Sequence, residues 1–317
     1  MGKEQFGYTR LRTFQLCPKK HSYIYKEGIT AKNSINVELG RLFHRCLEGY
    51  YDWNQDFIDE ALEDYKKLVR AGDTDLDADL LEYVFTKYTQ YYSNSDAYED
   101  TIAVEAKFVD DINEEDEFCL VVDRVVYNKK TGMTILRDTK TTLNKLKYKH
   151  EDVLYNTQLL TYIPFVENEL HIKIDMIEID EVRLCKLQPT PLNANGKPTG
   201  DKGRLEFTTY EMYMDTLMSM GLETDKAYFG AIQYMEKRGH PMFNRVSAQV
   251  LDPLTVQTNL NDMFDTYNAI KAGAEFRNRG PLCSYCDYKG LCDFDRYSTS
   301  SSLREIEINK IMGSKTE

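Results

Sequence analysis

Three short apolar runs in the middle of the chain most constrain its fold. Residues 101–109 and 117–127 alternate apolar and polar side chains, and residues 133–140 form a third short apolar run. Alternation with a period of two is typical of β-strands that bury one face. Residues 128–132 join the last two runs and have the composition of a hairpin turn. The sequence therefore predicts neighbouring strands in one sheet.

The segments around these runs predict the remaining architecture. Residues 150–167 have helical spacing, and residues 174–187 return to a strand pattern. Helical patterns precede and follow this block, which favours an α/β core wrapped by helices from both chain ends. We predict one integrated domain with four regions: an N-terminal helical region (1–100), an α/β core (101–187), a C-terminal helical region (188–296) and a mobile tail (297–317).

Composition narrows the class of protein. The chain has 317 residues and a net charge of −12. This charge argues against a passive nucleic-acid coat protein, because phosphate contacts need lysine and arginine, but it does not exclude an enzyme with a local basic groove. No run of 18 or more apolar residues predicts a membrane span, and the N-terminus has no signal-peptide pattern. We therefore expect a cytoplasmic protein without membrane partners.

Acidic and basic side chains converge at the end of the third strand. Asp138 and Lys140 project to the same side of a strand, whereas Thr139 points away. Asp123 lies inside the apolar run of the neighbouring strand, where an unpaired carboxylate is costly. Two close carboxylates repel unless a cation lies between them, and hard oxygen ligands suit Mg²⁺ or Mn²⁺. The alternative is a solvated surface pair of Asp138 and Lys140.

Two helices carry further polar pairs. Gly40 and His44 share one helical face, and the glycine permits another element to approach closely. Gln158 and Tyr162 share a face of the helix that follows the third strand. Each pair by itself is equally typical of an interfacial side chain or of a polar core margin.

A basic segment with one aromatic residue lies between the third strand and this helix. Lys145, Lys147 and Lys149 flank Tyr148. Such a segment can follow a phosphate backbone and stack a base. Its alternative is a solvated loop.

The cysteines predict a second metal centre. Cys283, Cys286 and Cys292 form a short cluster, and Cys17, in a Cys-Pro turn, is the best candidate for a fourth ligand. Such a centre would tie both ends of the chain together. Four thiolates suit zinc or an iron–sulfur cluster, and their spacing does not separate the two; reduced free thiols are the third alternative. The other three cysteines fall in apolar segments and are expected in the core: Cys46, Cys119 and Cys185.

Together these residues resemble the PD-(D/E)xK nuclease superfamily in its RecB-type branch, which includes the RecB and AddB nuclease domains and the CRISPR-associated iron–sulfur exonucleases. The resemblance covers residues 8–296. It is carried by an ordered set of motifs: Tyr8-x-x-Leu11-x-x-Phe14-x-x-Cys17-Pro18, Gly40-x-x-x-His44, Asp123 in a strand, Asp138-x-Lys140, Gln158-x-x-x-Tyr162, and Cys283-x-x-Cys286 followed by Cys292. One departure is Leu120, where the family usually has glycine.

The resemblance implies a restriction-endonuclease-like mixed sheet flanked by helices, with the two chain ends joined by a [4Fe-4S] cluster. It implies that His44, Asp123, Asp138 and the carbonyl of Thr139 bind a divalent metal ion. Lys140 would position the attacking water and stabilise negative charge. Further implied site residues are Gln158 and Tyr162, which would orient the scissile strand, and Glu105, an acid on the preceding strand.

The function expected from this resemblance is a metal-dependent DNA exonuclease acting at ends or on single strands in replication, recombination or repair. Protein partners in a recombination or replication complex are conceivable. A non-catalytic iron–sulfur DNA-binding subunit and an iron–sulfur electron carrier are the alternatives, and an RNA substrate stays open. A non-catalytic subunit would be expected to lack a ligand, yet the sequence retains the whole set.

Overall fold

A six-stranded mixed sheet forms the centre of the structure, a computed structural model that describes residues 2–71, 76–250, 252–297 and 300–313. Its strands are β1 (Glu4–Phe6), β2 (Glu99–Asp111), β3 (Asp116–Asn128), β4 (Met133–Thr142), β5 (Met176–Arg183) and β6 (Phe243–Gln249). The mixed sheet with helices on both sides fits a restriction-endonuclease-like fold.

Helices surround the sheet. The α-helices are α1 (Tyr8–Leu16), α2 (Pro18–His21), α3 (Ile35–Tyr51), α4 (Gln55–Arg70), α5 (Leu80–Asp96), α6 (His150–Leu154), α7 (Thr157–Leu170), α8 (Tyr210–Ser219), α9 (Phe229–Arg238), α10 (Pro253–Lys271), α11 (Lys289–Tyr297) and α12 (Ser301–Met312). A π-helical turn covers Ser22–Lys26, and 3₁₀ turns cover Lys202–Leu205, Lys226–Tyr228 and Pro281–Tyr285. No helix in the described ranges has the combination of length and hydrophobicity that a bilayer span requires.

The sheet order follows from the pairing of β3. Strand β2 runs antiparallel along one side of β3. On its other side β3 pairs with β1, in parallel, through its first residues and with β4, antiparallel, through its last residues. Strand β5 then pairs in parallel with β4, and β6 closes the sheet antiparallel to β5. The hairpin predicted between β3 and β4 is present, with Gly132 at a positive φ of 71°.

The two faces of the sheet bury different clusters. Helices α3 to α5 cover one face, where Phe43, Leu81 and Val182 share a core. Helix α7 covers the other face, where Leu136, Leu159 and Ile179 pack together. The parallel strands β4 and β5 are joined through α6 and α7, because a parallel pair needs a crossover connection. The ends of β4 and β5 are thereby held between two helical layers.

Several predicted regions differ from the structure. The sheet extends beyond residues 101–187, because β1 belongs to the N-terminal region and β6 to the C-terminal region, which was expected to be helical up to about residue 279. Residues 150–167, predicted as one helix, form α6 and α7. Strand β1 has only three residues, and β6 buries polar side chains, so neither shows a clear apolar alternation.

Helix α12 lies within the segment predicted as a tail. Ile308 and Ile311 pack against Tyr23 and Tyr288, and Arg304 donates to Asp295 at 2.8 Å. The same cluster joins the N-terminal segment to the segment after the 3₁₀ turn at 281–285. Apolar packing thus already brings the two chain ends together. Residues 298–299 and 314–317 of the predicted tail lie outside the described residues.

Candidate active site

Three side chains and one backbone carbonyl meet where α3 crosses the sheet. His44 Nδ1 lies 2.9 Å from Glu105 Oε1 and 3.7 Å from Asp123 Oδ2, and His44 Nε2 lies 3.1 Å from the carbonyl oxygen of Thr139. One ligand atom each of His44, Glu105 and Asp123 lies within 4.8 Å of the others. Asp123 Oδ2 also accepts a hydrogen bond of 2.6 Å from the Thr139 amide. The side chains come from α3, β2 and β3, and the carbonyl comes from β4.

Gly40 sets the distance between α3 and β4. A Cβ atom at position 40 would lie 2.8 Å from Thr141 Oγ1, closer than side-chain atoms normally approach. Because Gly40 is one helical turn before His44, this close approach brings the imidazole to Thr139. The sequence prediction that the glycine admits another element is therefore confirmed by the geometry.

Glu105 reaches His44 through an unusual backbone conformation. It lies on β2 between the pairs that Val104 and Ala106 make with β3, and its φ is +43°. A positive φ is strained for a residue with a side chain, and such strain is found preferentially at functional sites. The sequence marked Glu105 as an acid of uncertain role. In the structure its carboxylate lies closer to His44 Nδ1 than that of Asp123 does.

Asp138 and Lys140 form the second half of the site. As the alternation of a strand predicts, both side chains project to one face: Lys140 Nζ lies 2.9 Å and 2.8 Å from the two carboxylate oxygens of Asp138. Lys140 Nζ also donates to Gln158 Oε1 at 2.9 Å, and Gln158 Nε2 donates to the Tyr162 hydroxyl at 3.3 Å. A continuous polar chain therefore runs from the strand end to α7.

The electrostatics show a crowded anionic site. Burial raises the pKa of Asp123 to about 7, and the nearby Asp138 and Glu105 add to this rise. Burial opposes the charged form of His44, but Asp123 and Glu105 together raise its pKa to about 9. Burial also raises the pKa of Asp138, although Lys140 opposes that shift. Three carboxylates thus share one cationic imidazole and one ammonium.

This arrangement fits a divalent cation. Within the described chain, Asp138 Oδ2 is buried and accepts no well-aligned hydrogen bond, although Lys140 lies beside it. The pKa values of Asp123 and Asp138 are raised mainly by burial and further by neighbouring carboxylates, and a bound cation would oppose both effects. Carboxylate and carbonyl oxygens suit Mg²⁺ and Mn²⁺, whereas an imidazole nitrogen suits softer ions.

The basic segment with Lys145, Lys147 and Lys149, called the lysine segment from here on, lies beside this site rather than in it. Backbone amides of Lys147 and Tyr148 donate to the buried carboxylate of Glu181, at 2.8 Å and 3.1 Å to Oε2. Lys145 Nζ is 3.0 Å from Glu206. Sequence reasoning missed Glu181 as the anchor of this segment. Its position inside the apolar strand β5 was the available signal.

The four predicted cysteine ligands line one cavity of about 350 Å³. All four belong to the described residues, yet no three of their sulfur atoms lie within 4.8 Å of one another. Lys19, Lys20 and Arg277 also line the cavity, and Arg277 is hydrogen-bonded to Cys292. The structure therefore brings Cys17 to the C-terminal cysteines without forming a close four-sulfur centre. Of the remaining cysteines, Cys46 is buried, as expected, whereas Cys119 and Cys185 are partly exposed.

Comparison with known proteins gives a family. The family model of the PD-(D/E)XK nuclease superfamily matches residues 5–293, nearly the whole chain. No curated protein matches the chain.

Proposed function

Because the chain belongs to the PD-(D/E)XK nuclease superfamily, a superfamily of metal-dependent nucleases, we propose that it is a DNA exonuclease of the RecB-type branch. It hydrolyses phosphodiester bonds of single-stranded or end-containing DNA in replication, recombination or repair, and acts in the cytoplasm. The observation that carries the proposal is the meeting of His44, Glu105 and Asp123 beside the Asp138–Lys140 pair.

The proposed metal ligands are His44, Asp123, Asp138 and the carbonyl of Thr139, with Glu105 as an additional ligand. Glu105 is included because its carboxylate lies beside His44. It adds negative charge for the cation, since the charge of Asp138 is partly neutralised by Lys140. A bound Mg²⁺ or Mn²⁺ polarises a phosphate oxygen and acidifies a water molecule.

Lys140 holds fixed positive charge where negative charge develops on the phosphate. Its ammonium is mostly buried between Asp138 and Gln158, and the neighbouring Asp138 keeps the pKa of Lys140 above its usual value despite burial. It therefore stays charged at neutral pH and needs no reorganisation during the reaction. Gln158 and Tyr162 orient Lys140 and the scissile strand. Lys145, Lys147 and Lys149 bind the phosphates next to the cleavage point.

The cysteine cavity is proposed to hold a [4Fe-4S] cluster bound by Cys17, Cys283, Cys286 and Cys292. A tetrahedral zinc site, with Zn–S bonds of about 2.3 Å, brings its sulfur atoms within about 4 Å of one another. The wider arrangement of sulfur atoms around a cavity suits a larger cluster. The basic residues Lys19, Lys20 and Arg277 offset the negative charge of four thiolates. The cluster would fasten chain ends that apolar packing already joins.

The catalytic assignment is tested with end-labelled single-stranded and duplex DNA, and with RNA of the same sequence, in Mn²⁺ or Mg²⁺. Asp138→Asn and Lys140→Met each lower the cleavage rate about 10²–10³-fold, because each removes charge at the reacting phosphate. The matched controls are Lys173→Gln and Asp175→Asn. Both residues lie just before β5, where the exposed Lys173 pairs loosely with Asp175. Equal cleavage by wild type and site variants refutes the assignment, and the absence of any metal-dependent cleavage favours the non-catalytic subunit.

The cluster assignment is tested by metal analysis of anaerobically purified protein. The expected result is iron and acid-labile sulfide in roughly equal amounts. Cys292→Ser lowers both, whereas Cys119→Ser, a partly exposed cysteine outside the cavity, keeps them. Zinc without sulfide contradicts the proposal.

A further inference from the structure

A second large cavity lies next to the candidate active site. Its volume is about 720 Å³, and it is bounded by the lysine segment, the end of β5 and the connection from α9 to β6. This volume is within the range of about 300–1,000 Å³ that is usual for ligand sites. We call it the basic cavity, after six of its lining residues: Lys145, Lys147, Lys149, Arg183, Lys237 and Arg238.

The charge of the basic cavity opposes that of the whole chain. Besides these six cations the lining contains Arg245, which is paired with Asp96 and Asp180, and one carboxylate, Glu206. The chain as a whole carries a net charge of −12. Glu206 is shared between Lys145 and Arg183, at 3.0 Å and 2.7 Å. Local positive charge of this kind attracts an anionic ligand.

Three lysines leave their charge uncompensated. Lys147, Lys149 and Lys237 form no ion pair with any carboxylate in the part of the chain that the structure describes. Lys147 Nζ lies 5.5 Å from the centre of the Tyr148 ring, its neighbour in the lining. Their ammonium groups can therefore bind a phosphate without first breaking a salt bridge.

Two arginines of the cavity have unused buried donors. Arg183 is 6% exposed, and its Nε forms no hydrogen bond within the described residues. The Nε of Arg238 is likewise buried and unbonded there, while its two terminal nitrogens donate to backbone carbonyls of residues 205 and 208. Carbonyl oxygens hold the Arg238 guanidinium in place without neutralising it. Unsatisfied buried donors are rare, and these two leave part of the bonding capacity of each guanidinium unused.

An aromatic wall borders the same space. His240 stacks on Phe243 with 4.8 Å between ring centres and 2° between planes, and it lies 4.5 Å from the Tyr91 ring. Burial lowers the pKa of His240 to about 4, so the ring is neutral at physiological pH. A neutral aromatic surface beside cations is the combination that binds single-stranded nucleic acid, with bases stacked and phosphates paired.

The basic cavity lies near the catalytic end of the sheet. Arg183 pairs in register with Thr142, two residues after Lys140, and Glu181 pairs with Lys140 itself. Tyr148 lines the cavity and lies close enough to Lys140 and Asp138 for their charges to influence its hydroxyl. Tyr148 is therefore a residue of the cavity lining that also lies near the catalytic pair.

We propose that the basic cavity binds a short single-stranded segment of the nucleic-acid substrate beside the cleaved bond, with its phosphates at Lys147, Lys237 and Arg238 and a base against His240. This inference rests on the proposed nuclease function and adds a reason for single-strand preference. A cavity of this volume admits a nucleotide or two, whereas a duplex cannot enter it.

The test is equilibrium binding of a fluorescein-labelled oligothymidylate, measured by anisotropy in chelator so that no cleavage occurs. The variant Lys147→Gln/Lys237→Gln binds about tenfold more weakly near 0.1 M salt, and the slope of log K against log salt falls by about 1.4 for two lost phosphate contacts. The control Lys129→Gln/Lys173→Gln, which removes two exposed lysines elsewhere, binds like wild type. Unchanged affinity and slope in the cavity variant overturn the proposal.

Further binding measurements identify the ligand. His240→Ala weakens binding roughly tenfold and His240→Phe restores it, since stacking needs only an aromatic face. Thymidine monophosphate that binds as tightly as the oligonucleotide, or duplex that binds as tightly as the single strand, overturns the single-strand assignment. Asp138→Asn separates the two proposals. If this variant still cleaves, the catalytic assignment fails whatever the cavity binds. If cleavage stops but the cavity variant Lys147→Gln/Lys237→Gln binds like wild type, the cavity proposal fails alone.

Discussion

Replacement of Arg137 by methionine is expected to destabilise the fold strongly. Arg137 lies on β4, just before Asp138, and is 2% exposed. Its guanidinium donates to both oxygens of Glu99, at 2.9 Å and 2.7 Å, and to Glu178. The variant keeps an unbranched apolar stem but leaves two buried carboxylates without this partner.

The magnitude follows from what remains around those carboxylates. Removal of one partner of a buried ion pair costs about 3–5 kcal/mol. Arg124 stays 3.2 Å from Glu99, Arg245 stays 3.7 Å from Glu178, and Ser247 still donates to Glu178 at 2.6 Å. These contacts retain part of the pairing, so we expect a loss of about 3–4 kcal/mol in the free energy of unfolding.

Urea unfolding followed by circular dichroism measures this loss. Lys129→Met is the matched control, because Lys129 pairs with Asp100 on the surface, where such pairs contribute about 0–1 kcal/mol. Equal stability losses in Arg137→Met and Lys129→Met would refute the reasoning.

Two further predictions concern the candidate metal site. The pKa of His44 rises from 6.5 to about 9 and that of Asp123 from 3.8 to about 7, whereas burial lowers the pKa values of His21 and His240 to about 4. Because those two histidines oppose the effect below about pH 6.5, the folded metal-free protein binds more protons than the unfolded chain, and its stability falls as pH rises, between about 6.5 and 9. Thermal unfolding in chelator measures this fall; Asp123→Asn reduces it, and a melting temperature independent of pH contradicts it. Gly40→Ala pushes α3 away from Thr141 Oγ1, which would lie 2.8 Å from the added Cβ, and lowers Mn²⁺ affinity in calorimetric titration by about tenfold. Adding Thr141→Ala restores the affinity, and a failure to restore it contradicts the role of the close approach.

The local parts of the site were predictable from sequence. The two-residue period of β4 places Asp138 and Lys140 on one side, and the four-residue spacing in α7 places Gln158 and Tyr162 on one face. These relations depend only on the repeat of a strand or helix, so they hold whatever the element packs against. The hairpin between β3 and β4 follows from its turn residues in the same way.

Other contacts depend on pairing between distant segments. Glu105 reaches His44 only through the register of β2 on β3 and a positive φ that no local pattern signals. Strand β6 buries Arg245 in ion pairs with Asp96 and Asp180, so its sequence lacks the apolar alternation of a buried strand. The basic cavity likewise joins Arg183 to segments more than fifty residues further along the chain.

The sequence by itself determined the central strands, the hairpin and the side on which each site residue projects, because backbone geometry repeats at short range. Only the tertiary structure decided that Glu105 joins His44, that Cys17 shares a cavity with Cys292, and that Lys147 and His240 border one space. The physical reason is that a strand or helix specifies which face is buried, whereas long-range packing and register specify what that face meets.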